Sequence, residues 1–187
     1  LWDVGTLLGI LANEILAQTL KRVFQQPRPV SCALVDFCET RGMPSSHAQL
    51  AWFAAAVAIL AYRRRRDAHP ASARVLDAFG ALLVAAHVPM ALAVTASRVY
   101  LGYHSAEQVA AGAAVGAAAG AAWHFAALVP ASRAFKEVGP GSWAEVAGRL
   151  LGMRDSSLVA NPDEVARKHL AAQTVAPTGT HRKSPRR

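Results

Sequence analysis

Four long runs of Ala, Leu, Val and Gly restrict the folding of this chain more than any other feature. They are Leu1 to Leu20, Ala48 to Tyr62, Ala78 to Ala96 and Val109 to Val129. A helix crosses ~30 Å of hydrocarbon with about 20 mostly apolar residues. The fourth run meets that requirement outright. The first carries Asp3, Asn13 and Glu14, the second is short unless Pro44 to His47 extend it, and the third is interrupted by His87 and Pro89. None alternates with period two, so strands are not expected. A soluble bundle of such helices would need far more polar covering surface than a chain with 17% charged residues owns. The expected fold is an all-α, polytopic transmembrane helical bundle with about four spanning helices. In the fourth run Gly112, Gly116 and Gly120 recur on one helix face, where they permit close packing in lipid.

A net charge of +8 on 187 residues invites a nucleic-acid reading. The placement of the charges redirects it. Arg63 to Arg66 and Arg74 sit between the second and third runs, and ten more Lys or Arg follow Val129. With four crossings that loop and that tail share one side, which then holds 15 of the 20 basic residues. The positive-inside rule makes that side cytosolic and the other lumenal or exoplasmic. Basic platforms with interleaved aromatics are absent, so no nucleic-acid partner is expected. Residues 1–129 read as the membrane domain and 130–187 as a basic cytosolic tail. In the tail, Asn161-Pro162-Asp163-Glu164 reads as a helix start and the last dozen residues as disordered.

The lumenal side should be poor in cations, yet three groups of them recur there in special company. Lys21 is followed, after six residues, by Arg28-Pro29. Pro44-Ser45-Ser46-His47 opens the second run, and Ser97-Arg98 precedes His104 at the start of the fourth. The crossing count brings all three to one membrane face. Arg forks and a Lys point charge suit phosphate oxygens, and a Ser-rich helix start adds N–H groups and hydroxyls. Of two His beside such an anion, one attacks phosphorus and the other protonates the departing oxygen. No carboxylate cluster or Cys/His ligand spacing accompanies them, so neither a metal nor another cofactor is expected.

These groups resemble the signature of the type 2 phosphatidic acid phosphatase superfamily, K-x6-RP, PSGH and SR-x5-H-x3-D. Within it the chain is most similar to the dolichyldiphosphatases. The residues that carry this are Asn13-Glu14, Gln26-Pro27-Arg28-Pro29, Gly42-Met43-Pro44-Ser45-Ser46-His47-Ala48-Gln49, Ser97-Arg98-Val99-Tyr100-Leu101 and Tyr103-His104, with Arg154 to Leu158 more loosely. The resemblance implies that His104 is the nucleophile, forming a phosphohistidine, and that His47 is the acid for the leaving group. It implies that Lys21, Arg28, Ser45, Ser46 and Arg98 hold the phosphoryl oxygens. It further implies a polyisoprenoid diphosphate substrate, dolichyl diphosphate, hydrolysed at the lumenal face of the endoplasmic reticulum membrane in recycling the carrier for protein N-glycosylation. A further spanning segment upstream of Leu1 is also expected from it. The alternatives are another lipid phosphatase of the superfamily, acting on undecaprenyl diphosphate or phosphatidate, and a non-enzymatic membrane scaffold.

Two positions depart from the signature. Ser46 replaces its glycine, and Gln108 stands where its aspartate orients the nucleophilic His. On a helix Gln108 shares a face with His104 and can accept from its Nδ1–H. Glu107 is the fallback orienter. Among the other residues, His87 is expected to be neutral, hydrogen-bonded and turned to the bundle. Glu14 is expected to be structural, and His69, His124, His169 and His181 to lie at surfaces or interfaces. Trp2, Trp52 and Trp123 read as packing or membrane-interface aromatics. Cys32 and Cys38 both fall in the lumenal loop, where a disulfide is permitted.

Overall fold

The computed structural model describes residues 2–35, 41–68 and 74–137. Among them all regular structure is helical: α1 (Trp2–Phe24), a 3-10 segment (Val30–Val35), α2 (Ser46–Ala68), α3 (Arg74–Tyr100), α4 (Ala106–Trp123), a π segment (His124–Leu128) and α5 (Val129–Glu137). The four long helices alternate in direction. Their ends are set by local chemistry. α1 stops where Gln25 takes a positive φ of 49° and Pro27 follows, since a residue before Pro avoids the helical region. α3 stops at Gly102, whose φ of 73° suits a residue without Cβ. α4 opens on a capping box in which Ser105 accepts from the Gln108 N–H and the Gln108 side chain accepts from the Ser105 N–H.

The helices run longer than the apolar runs. α2 extends through Arg63 to Arg66, because Arg is a good helix former; Arg63, Arg65 and Arg66 are exposed, while Arg64 turns inward and donates to Ser132 Oγ at 2.9 Å. α3 passes through Pro89 without ending, as spanning helices allow. Among the described residues, Gly80–Tyr100 and Ala106–Arg133 are long and apolar enough to cross a membrane. α1 and α2, at 23 residues each, reach about 34 Å, but both carry charges within their length.

α2 is the central helix and packs on α4 above all, then on α3 and α1. In lipid this association rests on close packing rather than on apolar burial. The glycine ladder supplies it. A Cβ on Gly112 would stand 2.5 Å from the Ser45 carbonyl oxygen, and one on Gly120 2.7 Å from that of Phe53. Gly116 meets the Gln49 backbone in the same way. The buried stripes therefore run in parallel: Gly9, Asn13, Ala17 and Lys21 on α1; Ser45, Gln49, Phe53 and Val57 at and along α2; Gln108, Gly112, Gly116 and Gly120 on α4. Each has a spacing of four, and each leads up to one end of the bundle. Outward, Leu7, Leu11, Ile15, Leu82, Met90 and Leu92 are exposed, as a lipid-facing surface requires.

Several minor expectations meet the structure here. Trp52 Nε1 donates to Thr95 Oγ1 at 3.1 Å and Trp123 Nε1 to the Gly5 carbonyl at 3.0 Å, so both tie helices together. His87 is hydrogen-bonded to the Leu83 carbonyl of its own helix, at 2.8 Å, not to a neighbouring helix. Glu14 accepts from Gln18 one turn on and is exposed. Of the two places expected for His124, a surface or an interface, it takes the interface. It is 2% exposed, because it continues the stripe of Gly112, Gly116 and Gly120. Cys32 is buried and disulfide-bonded. Its possible partner Cys38, the helix start at Asn161, Arg154 to Leu158, His69, His169 and His181 lie outside the described residues.

Candidate active site

The end of α1, the start of α2, the end of α3 and the start of α4 meet at one end of the bundle. Backbone bonds fasten them: Gly42 N–H to the Gln26 carbonyl at 2.8 Å, Ser45 N–H to that of Gln108 at 3.0 Å, and His104 N–H to that of Arg98 at 3.1 Å. The three sequence groups, separated by up to 83 positions, thereby face one another.

His104 sits in the short turn between α3 and α4 and is 3% exposed. Its Nδ1 lies 3.1 Å from Gln108 Oε1. Its Nε2 lies 3.4 Å from Arg28 Nη1, which also donates to the Tyr103 carbonyl at 3.1 Å. Arginine offers donors only, so the Nε2 facing it presents its lone pair and the ring proton belongs on Nδ1. Burial, and then the Arg28 charge, lower the His104 pKa to about 4, against smaller upward effects that include the Gln108 bond. At neutral pH this imidazole is uncharged.

His47 stands on the first turn of α2, above the span Ala48 to Tyr62, and is exposed. Partial desolvation, and then the charges of Arg98, Lys21 and Arg28, lower its pKa. Lys21 is buried and donates to the Arg41 carbonyl at 3.1 Å. The Arg98 guanidinium lies over the Tyr103 ring, 5.3 Å from its centroid, a cation–π contact beside His104. Ser45 is fully buried, and its Oγ has no hydrogen-bond partner among the described residues. Ser46 is the half-buried first residue of α2. Among the described residues no group of three or more His, Cys, Asp or Glu could share a metal ion. The cations Lys21, Arg28 and Arg98 are the charge available to meet a phosphoryl group.

All eight residues singled out in the sequence thus lie at this end of the bundle. The fallback orienter Glu107 does not serve: it is exposed, and Gln108 holds the bond to His104. Four contributors were given no role in the site from the sequence, although Gln26, Gly42 and Tyr103 are among the residues that carry the family resemblance. Tyr103 positions both Arg28 and Arg98, and Ser105 caps α4 and fixes Gln108. Gln26 accepts from Gln108, and Gly42 leaves room for that amide. Only the capping box Ser105-x-x-Gln108 had a local signature.

The sequence profile of the PAP2 superfamily matches residues 3–130. A lipid phosphate phosphatase gamma from Arabidopsis thaliana is 31% identical over 73% of the chain and 60% of its own length. Dolichyldiphosphatase 1 of Homo sapiens is 31% identical over 86% of the chain and 66% of its own length. The dolichyldiphosphatase of Saccharomyces cerevisiae is 33% identical over 63% of the chain and 48% of its own length. The chain spans about half to two thirds of the length of these relatives. No solved structure matches.

Proposed function

The chain belongs to the PAP2 superfamily, and on that footing we propose that it is a lipid diphosphate phosphatase that converts dolichyl diphosphate to dolichyl phosphate and inorganic phosphate. The observation that carries this reading is the neutral, buried His104, with its Nε2 lone pair turned to Arg28 in a cluster of three cations. Similarity to dolichyldiphosphatases from animals, a slime mould and yeast supports the dolichyl substrate. An apolar groove of about 500 Å³ between α1 and α4, floored by Phe53 and walled by Gly9, Leu16, Ala119 and Trp123, supports a substrate with a hydrocarbon chain.

In the proposed reaction Lys21, Arg28 and Arg98 hold the terminal phosphoryl oxygens, with the Ser45 hydroxyl and Ser46. His104 Nε2 attacks the terminal phosphorus. The bond from that phosphorus to the bridging oxygen breaks, and its electron pair leaves on dolichyl phosphate, which takes a proton from His47. Water then attacks the phosphohistidine and gives a proton to His47, and the P–N bond breaks to release inorganic phosphate. Desolvation, and then the charges of Arg98, Lys21 and Arg28, lower the His47 pKa in the free chain, and a bound anion opposes the charge part of that effect. Most of the rate gain comes from positioning and charge stabilisation. The site faces the lumen of the endoplasmic reticulum, with Arg63 to Arg66 and the tail cytosolic.

The test is phosphate release in detergent micelles containing EDTA, with dolichyl diphosphate, undecaprenyl diphosphate and phosphatidate compared. Release that is fastest from dolichyl diphosphate is expected. Faster release from phosphatidate would replace it with the lipid phosphate phosphatase reading that the Arabidopsis relative favours.

The acid limb of kcat/KM gives a further prediction. Protonating His104 removes the nucleophile, so in the free enzyme activity is retained above its pKa of about 4 and lost as pH falls through it. Arg28→Ala removes a charge that lowers that pKa. The limb is expected to move upward, toward the ordinary histidine value, while KM rises. An unmoved limb in Arg28→Ala would contradict the placement of Arg28 against His104.

A further inference from the structure

The Gln108 amide is saturated. Its Oε1 faces His104 Nδ1 at 3.1 Å and the Ser105 N–H at 3.3 Å. Its Nε2 donates to Gln26 Oε1 at 3.1 Å and to the Pro27 carbonyl at 2.8 Å. Two of these four partners are backbone groups with fixed roles. The Ser105 N–H only donates, so the atom before it is the oxygen. The Pro27 carbonyl only accepts, so the atom before it is the nitrogen. The amide therefore has one orientation, and His104 must present Nδ1–H to it. Gly42 completes the enclosure: its N–H donates to the Gln26 carbonyl at 2.8 Å, and a Cβ there would lie 2.5 Å from Gln108 Nε2.

We propose that Gln26, with the Pro27 carbonyl, is a positioning element that sets the proton on His104 Nδ1 through Gln108, and that it requires an amide rather than a carboxylate at position 108. A carboxylate would still accept from His104 and Ser105. Its second oxygen, however, would face the Pro27 carbonyl with no proton to offer it, and although the Gln26 amide could turn to donate, the backbone carbonyl could not. The chain that reads Gln26-Pro27-Arg28-Pro29 both donates Arg28 to the nucleophile's Nε2 and collects the amide that governs its Nδ1. In consequence Nε2 is the unprotonated nitrogen, and it faces Arg28 in the cation cluster. The kinetic side of the proposal rests on the phosphohistidine chemistry above, whereas the tautomer does not.

The test reads both. ¹⁵N-histidine spectra of the protein in micelles, with the His104 signals assigned by their loss in His104→Ala, should show Nδ1 protonated and Nε2 bare in the wild type near neutral pH. Gln26→Leu leaves Gln108 tied by the Ser105 N–H and the Pro27 carbonyl, so the tautomer should persist, but with one tether lost the ring is held less firmly and kcat should fall by about 10-fold with KM little changed. Gln26→Glu keeps an acceptor for Gln108 Nε2 and should recover most of kcat, although its charge raises KM for an anionic substrate. Gln108→Glu should also lower kcat by about 10-fold, because its second oxygen is repelled by the Pro27 carbonyl and the support of the His104 ring is displaced. The proposal is overturned if the wild type carries its proton on Nε2, if Gln26→Leu keeps the wild-type kcat, or if Gln108→Glu is as active as the wild type. Should the wild type show the expected tautomer yet release phosphate from none of the lipids, the positioning stands and the reaction fails.

Discussion

His104→Ala is expected to reduce phosphate release from dolichyl diphosphate by roughly 10⁴-fold or more, with the bundle still folded. In the proposed reaction no other group forms the bond to phosphorus, and removing the nucleophile of a covalent mechanism leaves only binding and charge stabilisation. The fold should tolerate the change. The ring lies in the turn between α3 and α4, outside the helix contacts, and its loss leaves Gln108 Oε1 bonded to the Ser105 N–H. The backbone bond from residue 104 to the Arg98 carbonyl is unaffected by the side chain. Binding of substrate should therefore persist, since Lys21, Arg28 and Arg98 remain. Release and retained helicity are measured on the same micelle preparation. Wild-type release by the variant would contradict the assignment of the nucleophile, whereas no release by the wild type from any of these lipids would move the scaffold reading to the front.

Gly116→Val should cost the most stability of any single change on α4. Two effects compete when a helical glycine gains a side chain. Helix propensity favours the larger residue by up to about 1 kcal/mol. Against it stands the Gln49 backbone, which a Cβ at 116 would overlap. Backbone cannot rotate away, so α4 must withdraw from α2, and overpacking of this kind costs about 1–3 kcal/mol or more. The withdrawal would also strain the contacts of Gly112 and Gly120 and the Ser45 N–H bond to Gln108, so activity should fall with stability. Gly80 is the control. A Cβ there meets only the Tyr62 ring, at 3.5 Å, an ordinary contact. Gly80→Ala should be neutral or slightly stabilising, Gly116→Ala destabilising and Gly116→Val more so, as read from thermal unfolding in micelles. Equal midpoints for all three would contradict the ladder.

Much of this architecture was legible because its signals are short-range and physical. Long apolar runs specify spanning helices, an even crossing number brings Lys21, His47 and His104 to one face, and a four-residue glycine spacing specifies a packing edge. What was less legible depends on register and on distant partners. The expectation for His124 left surface and interface open, and its place four residues beyond Gly120 on the buried stripe decides for the interface. The second apolar run ends at Tyr62, whereas α2 continues through Arg63 to Ala68, because Arg costs little in a helix. Gln26 and Gly42 meet Gln108 across 82 and 66 positions, and no local pattern announces such contacts. Gln108 itself was readable by its offset of four from His104. That it also completes the α4 capping box explains why one side chain serves both the helix and the site.

The most direct test of the central claim is to find the phosphoryl group on the protein. Substrate labelled with ³²P in its terminal phosphate is mixed with the wild type, quenched in alkali within one turnover, and the digested chain is searched for label. Label on His104, absent in His104→Ala, is the predicted result. Turnover with no label on His104 at any quench time, or undiminished turnover in His104→Ala, would contradict the mechanism.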